Sequence, residues 1–171
     1  MDYEHCWSYA RYQHDYRLAW PELVADARLI LSAVTAAGIR LAGPAGQHAP
    51  IADVDSGIVV NGDADYGEHA QTFLLRPPTP GSRPHLHDDP VAVVDSCVTA
   101  RRPYDLAITS ILLHFALNLP GAFTVLSDGD WNTEWAHGAA TVNASAASAQ
   151  LNARTLVGDL FGNHPTRRPL A

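Results

Sequence analysis

The segment His85-Leu86-His87-Asp88-Asp89 packs two imidazoles and two carboxylates into five residues. On an extended chain His85 and His87 project to the same side, because side chains alternate along a strand. Two imidazoles so placed can hold one zinc or iron ion, with Asp89 completing the set. His48 or His69 from other loops could join them. The competing reading is a solvated loop, since five prolines fall within residues 76–90 and metal sites want rigid supports. Two acidic arrays offer oxygen ligands instead. Asp128, Asp130, Asn132 and Glu134 alternate in SDGDWNTEW, and Asn61, Asp63 and Asp65 alternate in NGDADYGEH. Were the two loops to leave a sheet at the same edge, Asp63, Asp65, Asp128 and Asp130 would line one acidic cleft suited to a divalent cation or to acid–base work. Against that stand ordinary roles for such residues, in turns and at helix N-caps.

Three of these strings resemble known motifs, and each departs from its pattern. HLHDDP resembles the first part of H-x-H-x-D-H, the motif of metallo-β-lactamase-type hydrolases, but Pro90 stands where the last histidine is required, so that family is not assigned. SDGDWNTEW resembles the opening of an EF-hand loop, with Thr133 in place of the sixth-position glycine and Ala139 in place of the twelfth-position glutamate. VVDSCVTARRPYD is similar to a phosphatase loop, C-x-x-x-x-x-R, but Cys97 and Arg102 are one residue too close. Cys97 therefore reads first as a small buried hydrophobe. His114, inside an apolar helix, reads as a buried histidine with a hydrogen-bond partner. Neither G-x-S-x-G nor G-x-G-x-x-G is present, and a chain without lysine has no Walker A lysine or Schiff base.

Large aromatics crowd the N-terminus. Residues 1–20 read as an aromatic N-terminal helix or arm: Tyr9, Tyr12, Tyr16 and Trp20 recur at spacings of three and four, which on a helix would place them on one face. That stripe either packs on the core or forms a surface for another protein or a second copy of the chain, since tyrosine and tryptophan suit interfaces.

The elements that must position these residues follow from periodicity. A helix is expected from Pro21 to Gly38, with proline at its first turn and glycine at its end. Ser56–Val60 and Gln71–Arg76 read as two strands of a hairpin with a long acidic connection. Short strands are expected at 39–41, 91–94 and 122–126. A second helix, apolar on nearly every side, runs from Pro103 to Leu117 and is expected to be buried across a sheet. A last helix is expected over 145–161, ended by Gly162. The order α, α, β, β, β, β, α, β, α predicts an α+β domain of two layers, with a mostly antiparallel sheet of four to five strands packed by helices. Residues 1–171 form one domain, with a proline-rich loop at 77–90 and an exposed tail at 163–171.

Composition bounds the function. With 171 residues, 47% of them apolar, the chain is long enough to bury a sizeable core. Its formal charge of −7 disfavours nucleic acid and acidic membranes as partners, and no apolar run approaches a membrane span. No apolar signal core opens the chain and its two cysteines fit no zinc spacing, so a cytoplasmic address is expected. The leading expectation is a non-catalytic protein-interaction or accessory protein acting through the aromatic N-terminal helix and the acidic loops. A small metal-dependent hydrolase and a small-ligand-binding domain are the alternatives.

Overall fold

The computed structural model describes residues 3–79, 92–137 and 151–171. The chain opens with a strand. In Glu4–Tyr9 (β1), His5, Trp7 and Tyr9 are buried while Glu4, Cys6 and Ser8 are only partly so, the alternation of a sheet with one covered face. β1 is the middle strand of a three-stranded antiparallel sheet, between Val93–Val98 (β6) and Phe123–Ser127 (β7). The expected helix over 1–20 is thus corrected: its first half is β1, and its second half belongs to a longer helix, His14–Ala36 (α1). The aromatic spacing fits two periods at once. Tyr3, His5, Trp7 and Tyr9 recur every second residue, and pairing with β6 and β7 selects that period over the helical one.

Helix α1 carries Tyr16, Trp20, Leu23, Val24, Ala27, Ile30, Leu31 and Val34 on its buried face. Pro21 lies inside α1 rather than at its start, so the chain gives up one intrahelical hydrogen bond there. Leu41–Ala42 (β2), Ile51–Asp53 (β3), Gly57–Gly62 (β4) and Phe73–Leu75 (β5) make the second sheet, in which β4 pairs antiparallel with each of the other three. The hairpin expected from the sequence is the β4–β5 pair. β3 falls where no strand was expected, because its three residues show no clear alternation. Gln71 ties the two sheets together: its amide donates to the Val98 carbonyl at 3.2 Å and its side-chain oxygen accepts from the Val98 amide at 2.7 Å.

Helix Asp105–Asn118 (α2) is buried continuously from Asp105 to Ala116, as its all-round apolar sequence predicts. It packs on α1, on β7 and on Ala153–Phe161 (α4), which follows the short helix Glu134–His137 (α3). α4 begins with Asn152, whose side-chain oxygen accepts from the Thr155 amide, and ends at Gly162 with φ 70°, both standard terminators. The molecule is an α+β domain with antiparallel strands, divided between sheets of three and four rather than gathered in one. Among the described residues no helix is long and apolar enough to cross a membrane.

Candidate functional site

The residues singled out by sequence fall in different places. His85, His87 and Asp89 lie outside the described residues. Asp63 and Asp65 occupy the loop after β4, where Asp63 Oδ1 accepts from the Asp65 amide at 2.9 Å. Asp128 Oδ2 accepts from the Glu4 amide at 3.0 Å. Asp130 Oδ1 accepts from the amides of Asn132 and Thr133 at 2.9 and 3.0 Å. Three of these carboxylates therefore satisfy backbone donors in turns and at a strand end. Among the described residues no three histidine, cysteine, aspartate or glutamate side chains group to hold a metal. Asp63, Asp65, Asp128 and Asp130 make no such group; Asp63 and Asp130 hold amides of their own loops and Asp128 holds the Glu4 amide of β1.

The expected aromatic surface is largely core. Tyr9, Tyr16 and Trp20 are 2%, 0% and 3% exposed. Their rings pack in series, Tyr9 to Tyr16 at 4.9 Å and Tyr16 to Trp20 at 5.4 Å. Their polar atoms are also engaged: Tyr9 Oη accepts from the Arg76 amide, Tyr16 Oη donates to the Arg76 carbonyl, and Trp20 Nε1 donates to the Val54 carbonyl. Tyr12 alone of the four stays partly exposed, since it lies in the turn between β1 and α1.

What the structure leaves open is the other side of β1. Directly opposed residues share a sheet face. Cys6 stands opposite Ser96 and Leu126, Ser8 opposite Val94 and Thr124, and Glu4 opposite Val98. This outward face contains Val94 at 71% and Leu126 at 56% exposure, so among the described residues nothing covers either. At one end it runs into a cavity of about 350 Å³ whose lining includes Ser8, Ala10, Tyr12, Ala122 and Thr124. The Tyr12 hydroxyl there is buried and has no hydrogen-bond partner among the described residues. The opposite end is acidic. Partial burial, then the nearby carboxylates of Glu4 and Asp128, push the Cys6 thiol above the usual thiol range. Cys97, on the inner face of β6, is pushed up to about 12, chiefly by burial. Neither thiol has the low pKa of a nucleophile.

The inner face ends in a polar chain that no sequence motif announces. His5 is fully buried; its Nδ1 lies 2.8 Å from Ser127 Oγ and its Nε2 lies 2.8 Å from Asp105 Oδ1. The Thr99 hydroxyl donates to the same Asp105 oxygen. Ser127 Oγ also accepts from the Gly129 amide at 2.9 Å and from Trp135 Nε1 at 3.3 Å. These groups join the start of β1, the end of β7 and the N-terminus of α2. Tyr3 lies over them, with its ring 5.0 Å from that of His5 and its hydroxyl raised well above the usual range, first by burial and then by Asp105 and Glu134. Arg101 stacks 4.3 Å above the Tyr3 ring and pairs with Glu134 at 3.3 Å. Glu134 is held down to about 2, first by the Thr133 hydroxyl, then by the Asp130 amide, its own amide and Arg101. Asp105 and Ser127 stand 100 and 122 residues from His5 in sequence, so only the pairing of β1 with β7 and the packing of α2 bring them to it.

His114 makes the partnered pair expected of it: Nε2 lies 2.7 Å from Asp26 Oδ2 and its ring stacks on Phe161 at 4.0 Å. It joins α1, α2 and α4. No family model matches this chain, and no curated protein or solved structure matches it either.

Proposed function

We propose that this chain is a protein-interaction or accessory protein whose docking surface is the outward face of β6–β1–β7, with Tyr12 as an anchor in the adjoining cavity. The observation that carries this reading is the exposure of Val94 and Leu126, set diagonally on the two strands that flank β1, on a sheet face with no described element over it. A sheet normally has at least one face covered by another layer; here the two exposed apolar side chains flank the small residues Cys6 and Ser8, which leaves room for a partner to approach. Three strands ~4.8 Å apart and about five residues of ~3.4 Å give a face of roughly 14 by 17 Å. That is far below the ~800 Å² per partner of a stable complex. The interaction is therefore of the transient class, or the partner also grips the rims. The rim beside Cys6 carries Glu4 and Asp128, which favours basic groups in the partner. Placing the surface here, rather than on the aromatic stripe, leaves Tyr9, Tyr16 and Trp20 to the core.

Cys6 makes the reading testable. It lies at the centre of the face, while Cys97 is fully buried. A photo-crosslinker attached to Cys6 is expected to capture a discrete protein, another chain or a second copy, and Leu126→Asp with Val94→Asp is expected to abolish capture. Capture that is diffuse, or indifferent to the double variant, would refute the assignment of the surface.

A further inference from the structure

The polar chain at the end of β1 has more in it than a structural weld requires. Ser127, His5 and Asp105 are hydrogen-bonded in series at 2.8 and 2.8 Å. The histidine and the aspartate are buried more deeply than the serine. Ser127 keeps partial exposure, while His5 and Asp105 are 0% and 3% exposed. The tautomer follows from the partners. A carboxylate only accepts, so His5 Nε2 carries the proton toward Asp105 and Nδ1 is left as the acceptor for the Ser127 hydroxyl. That is the order of nucleophile, base and orienting acid.

Three further features converge at the same spot. The Gly129 amide and Trp135 Nε1 both point at Ser127 Oγ. The Tyr3 hydroxyl is buried beside Ser127 and completes no well-formed hydrogen bond among the described residues, and an added Cβ on Gly129 would collide with it. Finally, Ala100 and Arg101 hold φ of 51° and 55° in the turn that leads from Thr99 to Asp105. Two successive non-glycine residues in that region cost about 1–3 kcal/mol each, and such strain gathers at functional sites.

We propose that Ser127, His5 and Asp105 form a serine-nucleophile site for carboxylic esters. Attack bonds Ser127 Oγ to the acyl carbon, and the hydroxyl proton passes to His5 Nδ1. The ester C–O bond then breaks, and the departing alkoxide takes that proton to leave as the alcohol. Water, deprotonated by the same nitrogen, displaces the acyl group from Oγ as a carboxylic acid and restores the hydroxyl. The Gly129 amide and Trp135 Nε1, released from Oγ as it acquires its new bond, and Tyr3 Oη, which completes no well-formed hydrogen bond among the described residues, are the donors for the oxyanion. The rings of Tyr3 and Trp135, with centroids 5.0 and 5.9 Å from that of His5, meet the imidazole edge-on and hold it in place. Asp105 is a positioning residue, since it acts only through His5.

The test is reaction of the intact folded chain with diisopropyl fluorophosphate, followed by peptide mapping. Ser127 Oγ would displace fluoride and gain the phosphoryl group, its proton passing through His5 to solvent. The adduct is expected on Ser127, forming at least 100-fold faster than on any other serine. Asp105→Asn is expected to slow it at least 100-fold, and Asp105→Glu to restore part of that loss. A purely structural network predicts instead that both substitutions lower the melting temperature while Ser127 of the unaltered chain stays unmodified. An unmodified Ser127, an adduct on another serine, or a labelling rate indifferent to Asp105→Asn would each overturn the proposal. Because the mapping is read on the unaltered chain, poor folding of a variant does not protect it.

Discussion

Tyr12 and Tyr16 stand four residues apart, yet only Tyr16 is sealed in the core, with its hydroxyl bonded to the Arg76 carbonyl. Tyr16→Ala should therefore cost about 3–5 kcal/mol, the usual range for deleting a buried ring, as measured by urea denaturation. Leu126→Asp, on the open face, should change stability by no more than about 0.5 kcal/mol. Glu134 makes a second prediction. Its folded pKa of about 2 lies below the ordinary 4.5, so its contribution is fully present above pH 4.5 and is lost as the pH falls toward 2. Glu134→Gln should flatten the acid limb of the stability curve in that window and lower stability at pH 7, where the contribution of the carboxylate is fully present. At this scale the sequence was only partly legible. Asp130 and His114 take local roles that their own neighbourhoods suggest, a capping turn and a partnered helix residue. Ser127, His5 and Asp105 carry no local signal, because each is an ordinary residue until β1 and β7 pair.

At the scale of elements, the two readings of the N-terminus make opposite predictions for Pro21. If a helix began there, proline would suit its first turn, and Pro21→Ala would be neutral or harmful. Inside α1, as observed, the same substitution restores a hydrogen bond and removes a ring clash. It should stabilise the protein by about 1–3 kcal/mol, read as a rise in the urea midpoint. The helices were largely legible because α2 is apolar all round and α1 keeps its 3.6-residue stripe beyond Pro21. β1 was not, because its aromatics satisfy both periods, and a strand is selected by neighbours that lie about ninety and one hundred and twenty residues away. β3, with three residues, is too short for alternation to show, whereas β5 was legible as one arm of the expected hairpin.

For the molecule as a whole, β1 is the dividing wall. Its inner face builds the aromatic core and ends in the Ser127–His5–Asp105 chain; its outer face, with Cys6 at the centre, has no described element over it. The two cysteines report on these two sides. Cys6 is partly exposed on the docking face, and Cys97, with its thiol pushed up to about 12, is buried on the other. The α+β class was legible because helix and strand patterns segregate along the chain, whereas the docking face was not, since its residues come from three strands that only the fold brings side by side. The most direct test of that face is the rate of alkylation of Cys6, measured by mass spectrometry at pH 8.5 on the free chain and on the chain bound to the protein it captures. A docking face over β1 predicts that the partner slows Cys6 at least tenfold while Cys97 stays unreactive in both states. A Cys6 rate unchanged by the bound partner would contradict it.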